Sequence, residues 1–273
     1  MAVAYDFDGT LSPGNMQEYN FIPALGLQPK AFWKQVKQNA QQHNADEILS
    51  YMSLMLEEAR HQKISVTRQS FVDFGRDVDL FGGVTDWFDR LNQYAKDNRI
   101  CLEHFIISSG LREMIEGTTI AKHFKAIFAS AFKYDHNGVA HWPALALNYT
   151  TKTQYLFRIN KGSLDVWDNS KINDFVERSK RPIPFQNMIF IGDGQTDVPC
   201  MRLVKDQGGH SIAVYRRGKH GASKKAQDLV AQGRANFIAP ADYADGSSLD
   251  QIVKAIISKV AADCALSALG KAA

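Results

Sequence analysis

Six short apolar runs, each shut off by glycine, serine, proline or polar residues, recur along the chain. They are Ala2–Tyr5, His104–Ser108, Ala126–Ala129, Met188–Ile191, Ser211–Tyr215 and Asn236–Ala239. Runs this short and this apolar read as buried strands. Between most of them the apolar spacing changes to three and four, as at Val84, Trp87, Phe88, Leu91 and Tyr94, which gathers the apolar groups on one helical face. Strands alternating with amphipathic helices predict an α/β fold, a three-layer Rossmann-like arrangement whose largely parallel sheet is covered on both faces. A last helix over Leu249–Val260, with Ile252, Ile256 and Val260 in phase, closes that core.

The alternation breaks once. From about residue 15 to 80 no strand is evident, only helical segments over Pro29–His43, Asp46–His61 and Val66–Val78, the first opening on a proline suited to a first helical turn. The middle segment is apolar at Ile48, Leu49, Met52, Leu54, Met55 and Leu56, wide enough to bury against neighbouring helices. The expected division is a core of residues 1–14 and 81–273 with a helical insert over 15–80 that packs as its own small bundle. A second irregularity, Lys133–Val139, has Asn137-Gly138 between apolar flanks, the pattern of a hairpin turn, and predicts a small antiparallel flap.

Composition narrows the partners. Of 273 residues, 45% are hydrophobic and 22% charged, with 32 Lys plus Arg against 29 acidic residues and a net charge of +3. So slight an excess predicts neither a nucleic-acid nor a membrane partner, and no apolar run approaches the ~20 residues of a spanning helix. The three cysteines, Cys101, Cys200 and Cys264, lack metal-ligand spacing and point to a reducing, cytoplasmic location. The sequence sets no oligomeric state. The bulk charge therefore predicts no partner.

Ligands of open parallel sheets bind at the carboxyl ends of strands, and the first strand ends there in Asp6-Phe7-Asp8-Gly9-Thr10. The plainer reading is an Asp-rich turn, since Asp and Gly are common in loops. Two close carboxylates repel, and a bound cation relieves them. Ile189–Ile191 runs similarly into Gly192-Asp193-Gly194-Gln195-Thr196-Asp197, and the two loops together suit Mg²⁺, which takes one or two carboxylates plus water and phosphate oxygens. Phe105-Ile106-Ile107-Ser108-Ser109-Gly110 ends in hydroxyls before a helical stretch at Leu111–Glu116, either an anion site or an ordinary helix cap. A lysine near these loops would supply a positive charge. Lys152, at the start of a helical stretch, and Lys161, in Asn160-Lys161-Gly162, are the two candidates.

These four features, in this order, resemble the haloacid dehalogenase superfamily, whose pattern is a DxDG[TS] loop, a Ser or Thr after a second strand, a Lys and a late acidic loop. The resemblance implies that Asp6 is a nucleophile forming an aspartyl-phosphate and that Asp8 is first the general acid and then the general base. It implies Mg²⁺ on the Asp6 carboxylate, the Asp8 main-chain carbonyl and the Asp193 carboxylate, with Asp197 orienting Lys152 or a metal-bound water. Ser108 and the N–H groups around Gly9, Thr10 and Ser109 would hold phosphate oxygens. The second Asp separates this chain from the carbon–halogen and phosphonate branches and favours hydrolysis of a small phosphorylated metabolite. Transfer to an acceptor other than water and a silent phospho-ligand-binding role are the alternatives.

The insert resembles the helical cap of phosphoserine phosphatase and its relatives, where substrate identity is read. That enzyme carries Ser where this chain has Gly9. Glu18 and Arg60 are the counterparts considered for its cap Glu and Arg. Tyr19, Phe21, Phe32, Trp33 and Tyr51 are packing residues for the most part, with contact to an organic or quaternary amine group as the other reading. The basic run Arg216–Lys219 is read first as a solvated loop and second as an attractor of anions. His136 and His141, beside the hairpin, are read as surface or packing residues.

Overall fold

A computed structural model describes residues 1–272. Strands β1 (Ala2–Tyr5), β2 (Glu103–Leu111), β3 (Phe124–Tyr134), β4 (Ala140–Leu145), β5 (Met188–Gly192), β6 (His210–Tyr215) and β7 (Phe237–Pro240) form one sheet in the order β4-β3-β2-β1-β5-β6-β7. All neighbours are parallel except β3 and β4. The helices are α1 (Phe21–Ala24), α2 (Pro29–His43), α3 (Glu47–Gln62), α4 (Arg68–Gly75), α5 (Val84–Asp97), α6 (Arg112–Gly117), α7 (Tyr149–Lys161), α8 (Val198–Asp206), α9 (Ala222–Ala231) and α10 (Ser248–Ala272). This is the expected α/β architecture.

Strand β1 shows why the sheet must be covered twice. Its alternate residues Val3 and Tyr5 bury against Trp87 and Phe88 of α5 and Leu249 and Val253 of α10, whereas Ala2 and Ala4 bury with Tyr155 and Leu156 of α7 and Cys200 and Met201 of α8. A strand apolar on both sides has no face left for water. The chain visits β2 on one side of β1 and later β5 on the other, so the strand order reverses at β1, and a crevice opens at such a reversal. Tyr5 is level with both Ile106 and Ile191. The residues that follow on β1, β2 and β5 therefore emerge at the same edge.

Three expectations need revision. Strand β2 continues through Ser108 and Ser109 to Leu111 with an irregular register against β3, because Phe105, Ile106, Ile107 and Leu111 are all buried between layers; the hydroxyls sit within the strand rather than opening a helix. Helix α10 runs twelve residues beyond Val260, and the part over residues 262–270 is exposed and rich in Ala and Leu, strong helix formers that extend a helix with little packing. The helices between β1 and β2 do not enclose a separate core. Phe21, Phe32, Met52 and Met55 belong to the same buried cluster as Trp87 and Leu249, and Phe71 of α4 stacks on Phe132 of β3 at 5.4 Å. Helix α4 meets α6 so closely that a Cβ on Gly75 would lie 1.9 Å from the Met114 carbonyl oxygen.

The Asn137-Gly138 turn forms as expected, with the Asp135 carboxylate accepting the N–H groups of Asn137 and Val139. The hairpin is the antiparallel margin of the main sheet, and it reaches the insert through the Ala140 N–H bond to the Val66 carbonyl, 2.9 Å.

Beneath β1 runs a buried polar chain. Trp87 Nε1 donates to Tyr5 Oη at 3.0 Å, the Tyr5 hydroxyl meets His104 Nδ1 at 3.0 Å, and His104 Nε2 meets Asn92 Oδ1 at 3.0 Å. All are satisfied if Tyr5 donates to a neutral imidazole that donates to Asn92. Burial holds His104 neutral, lowering its pKa to about 3. Tyr5→Phe orphans the Trp87 N–H and His104 Nδ1 and is expected to cost about 2–4 kcal/mol by denaturant unfolding. Because the His104 value is depressed in the fold, its contribution is present above the unfolded value of 6.5 and is lost as pH falls towards about 3; the wild type should lose denaturant midpoint over that window more steeply than His104→Asn.

Candidate active site

The loops after β1 and β5 bring four carboxylates around one ammonium. Lys152 Nζ lies 2.7 Å from Asp197 Oδ1 and 3.1 Å from Asp6 Oδ1, with all three side chains buried. Helix α7 begins at Tyr149, so Lys152 falls in its first turn, over the strand ends. That turn is pinned by the Asn148 N–H bond to Thr151 Oγ1, 2.7 Å. Burial acts to lower the Lys152 pKa, but Asp197 and Asp6 overcome it and hold the ammonium well above the ordinary lysine value. Lys161 is elsewhere, donating to the Ile172 and Asp174 carbonyls and clamping the long loop before β5.

Asp8 receives the Met16 N–H at 2.9 Å. Burial, then the nearby Asp6 carboxylate, push its pKa well above the usual carboxylate range, which favours its protonated form. Asp193 lines the cleft with protein atoms crowded around it, and its side chain is exposed to solvent. Loss of surrounding water, then Asp197 and Asp6, raise it to about 8.

Gly9 lets the first loop approach the second. Its φ is +78°, and a Cβ there would lie 2.1 Å from Asp193 Oδ2. That contact accounts for glycine at this position, since any side chain would displace the Asp193 carboxylate.

The donors suit a divalent cation. Asp6, Asp193 and Asp197 each offer an oxygen within 4.8 Å of the others, and Asp6 Oδ1 is buried with no hydrogen-bond partner, the Lys152 approach being off the bonding direction. Both Asp197 oxygens are engaged, Oδ1 by Lys152 and Oδ2 by the Gly194 N–H. Among the described residues the Asp8 main-chain carbonyl accepts no hydrogen bond. The free oxygens are therefore those of Asp6, Asp193 and the Asp8 carbonyl, an all-oxygen set of the kind Mg²⁺ takes.

The anion-binding candidates divide. Ser108 Oγ accepts the Gly110 N–H at 3.1 Å, which leaves its own O–H to donate, and Ser109 Oγ is buried without a partner. Both residues line the cleft. The Gly9 and Thr10 N–H groups, expected to face a phosphate, are instead engaged inside the loop by the Ser12 and Phe7 carbonyls at 2.7 and 3.2 Å. Thr10 is fully buried, and its carbonyl accepts the Tyr243 hydroxyl. Among the described residues the N–H groups of Phe7 and Asp8 have no acceptor. These two donors were missed because residue type does not reveal which amides a turn leaves free.

A cleft of about 670 Å³ opens above these groups and is roofed by the insert. Glu18 lines it, held by Trp33 Nε1 and Asn15 Nδ2 at 2.6 Å each, and Trp33 meets Tyr51 edge-on at 5.9 Å. The Tyr51 hydroxyl donates to the Ser109 carbonyl. Phe21 and Phe32 are packing residues, Tyr19 is half-buried outside the cleft, and Arg60 is on the exposed surface. Arg216 and Lys219 stand at the cleft edge. Lys37, Glu47, Asn148 and Tyr149 also line it and were not anticipated. Lys37 follows Trp33 by four residues and so shares its helical face, the one signal that pointed to any of them.

The family model of haloacid dehalogenase-like hydrolases matches residues 3–202. An uncharacterized protein of Borreliella burgdorferi is 30% identical over 277 aligned positions, covering 91% of this chain and 93% of its own. Among solved structures, a haloacid dehalogenase family hydrolase of Salmonella enterica serovar Typhi is similar, with a TM-score of 0.55 at 14% identity over 93% of this chain and 70% of that one. A substrate-bound phosphoserine phosphatase complex is also similar, with a TM-score of 0.56 at 12% identity over 93% and 96%.

Because the Asp193 value is raised in the fold, metal-free folded protein keeps a proton that the unfolded chain has lost between 3.8 and about 8, so stability falls as pH rises through that window. A thermal midpoint that declines from about pH 5 to about pH 8, and that Mg²⁺ restores more at the higher pH, is the expected result. No Mg²⁺ effect at the higher pH would refute the metal site. Gly9→Ala should cost about 1–3 kcal/mol, from the strained φ alone, and blunt the Mg²⁺ effect on the midpoint.

Proposed function

The chain belongs to the haloacid dehalogenase-like hydrolases, and on that premise we propose that it hydrolyses small phosphomonoesters with Mg²⁺ through an aspartyl-phosphate on Asp6. The observation that carries this reading is the buried Lys152 ammonium, 3.1 Å from Asp6 and 2.7 Å from Asp197, at the ends of adjacent parallel strands. The fold of phosphoserine phosphatase, shared by this chain, supports it.

The Asp6 carboxylate attacks phosphorus as the bond to the leaving oxygen breaks, and Asp8, held protonated by burial and by Asp6, gives that oxygen its proton. The resulting Asp8 carboxylate then takes a proton from the water that attacks the aspartyl-phosphate, and inorganic phosphate leaves as the bond to Asp6 breaks. Ser108 O–H, the Phe7 and Asp8 N–H groups and Lys152 hold the non-bridging oxygens, where charge must be stabilised in the transition state. Asp197 positions Lys152. Mg²⁺, held by the Asp6 and Asp193 carboxylates and the Asp8 carbonyl, supplies when bound the charge that admits a phosphate dianion to an acidic site. Residues 15–80 act as a specificity cap on the core of residues 1–14 and 81–273.

A panel of amino-acid, sugar, nucleotide and choline phosphates, assayed with and without Mg²⁺, should reveal Mg²⁺-dependent phosphate release. Asp6→Asn is expected to lower turnover by about 10³-fold or more, with circular dichroism and thermal midpoint showing an intact fold. Asp8→Asn should lower it by about 10²–10⁴-fold. Retained Mg²⁺-dependent turnover in Asp6→Asn sinks the proposal.

A further inference from the structure

Beside the catalytic cleft lies a second recess of about 490 Å³, and the two share Asp193, Arg216 and Lys219 along their common edge. Four of its lining residues are basic and exposed, and they come from three places in the chain: Arg216 and Lys219 in the loop after β6, Lys225 on α9, and Arg234 in the turn before β7. Among the described residues none of these four cations has an acidic partner within ion-pair distance. Arg217, which lines neither cavity, is the basic residue of this loop that has one, Asp242 at 3.6 Å. Apart from Asp193, which belongs to the catalytic cluster, the recess offers one opposing carboxylate, Asp228. Arg216 is drawn towards the first loop by its bond to the Pro13 carbonyl, 3.3 Å.

A solvated lysine alone calls for no ligand. Four unpaired cations converging on one concavity do, because low-dielectric walls focus their field. The phosphate being cleaved does not account for them, since Lys152 and Mg²⁺ already supply its counter-charge in the reading above. The roof of the catalytic cleft is the wrong sign for another anion, with Glu18 and Glu47 against Lys37 alone. The basic recess has the right sign, and the shared edge lets one molecule occupy both cavities.

We propose that this recess binds a second phosphate of the substrate, so that the preferred esters are small bisphosphates in which one phosphate is cleaved and the other anchors. This rests on the phosphatase reading. It predicts that binding strength is drawn from charge remote from the reacting phosphorus, and therefore weakens with ionic strength.

The test compares kcat/KM for alkanediol bisphosphates of three to six carbons with that for the matching alkyl monophosphates, in Mg²⁺, using the full chain. The expected result is a preference of about tenfold or more for at least one bisphosphate at low salt, shrinking at high salt. Lys225→Ala/Arg234→Ala should cut that preference about tenfold, through KM, and Lys225→Arg/Arg234→Lys should restore it. Monophosphates hydrolysed as well as every bisphosphate, or a preference that the alanine pair does not move, would overturn the second site and leave the phosphatase reading standing. Failure to hydrolyse any ester overturns both.

Discussion

The Lys152 ammonium is the charge on which the arrangement of the strand ends depends. Like charges about 4 Å apart repel by roughly 4 kcal/mol at an effective dielectric of 20, and Asp6, Asp8, Asp193 and Asp197 crowd two neighbouring loops. Lys152 offsets part of this by lying between Asp6 and Asp197, and burial together with Asp6 shifts Asp8 towards its neutral form. What remains is an acidic pocket whose free oxygens ask for a divalent cation. The raised proton affinities of Asp8 and Asp193 follow from burial first and from that crowding second, and shifts of this kind suit acid–base chemistry at neutral pH.

Topology places the charges. Because β1 lies between β2 and β5 in matched register, Asp6, Ser108 and Asp193 emerge at one edge although they are far apart in sequence. The insert completes the enclosure from above. Tyr51 bonds to the Ser109 carbonyl, and Asn148 Nδ2 reaches Asp46 at 3.2 Å, so the insert touches both the β2 strand end and the start of the lysine-bearing helix. Its apolar side chains are continuous with the sheet's own buried cluster. The roof of the cleft is therefore seated on the same core that supports its floor.

Much of this was legible in the residues. Apolar runs closed by turn residues located six of the sheet's seven strands to within a few positions, and Asn137-Gly138 located the hairpin that adds the seventh. The acidic loops were visible because Asp at the end of an apolar run is unusual in a buried strand and expected at a ligand site. Less visible were properties that depend on neighbours. Ser108 and Ser109 read as a strand end, yet the strand continues because its far side is buried. Gly9 and Thr10 read as amide donors, yet the turn folds those amides onto Ser12 and Phe7 and frees two others.

The sequence by itself determined the alternating layers, the inserted helices and the acidic residues available for chemistry, since periodicity and residue type are local properties. Tertiary structure decided which lysine lies among the carboxylates. Lys152 and Lys161 lie on one helix and look alike as residues, but a helix turns by a fixed angle per residue. Lys152 in the first turn faces the strand ends, whereas Lys161 in the last faces a loop. It decided likewise that Glu18 and Trp33 line the cleft while Arg60 faces water. Above all, it gathered four basic residues from three segments around one recess, because convergence in space is a property of the packed chain.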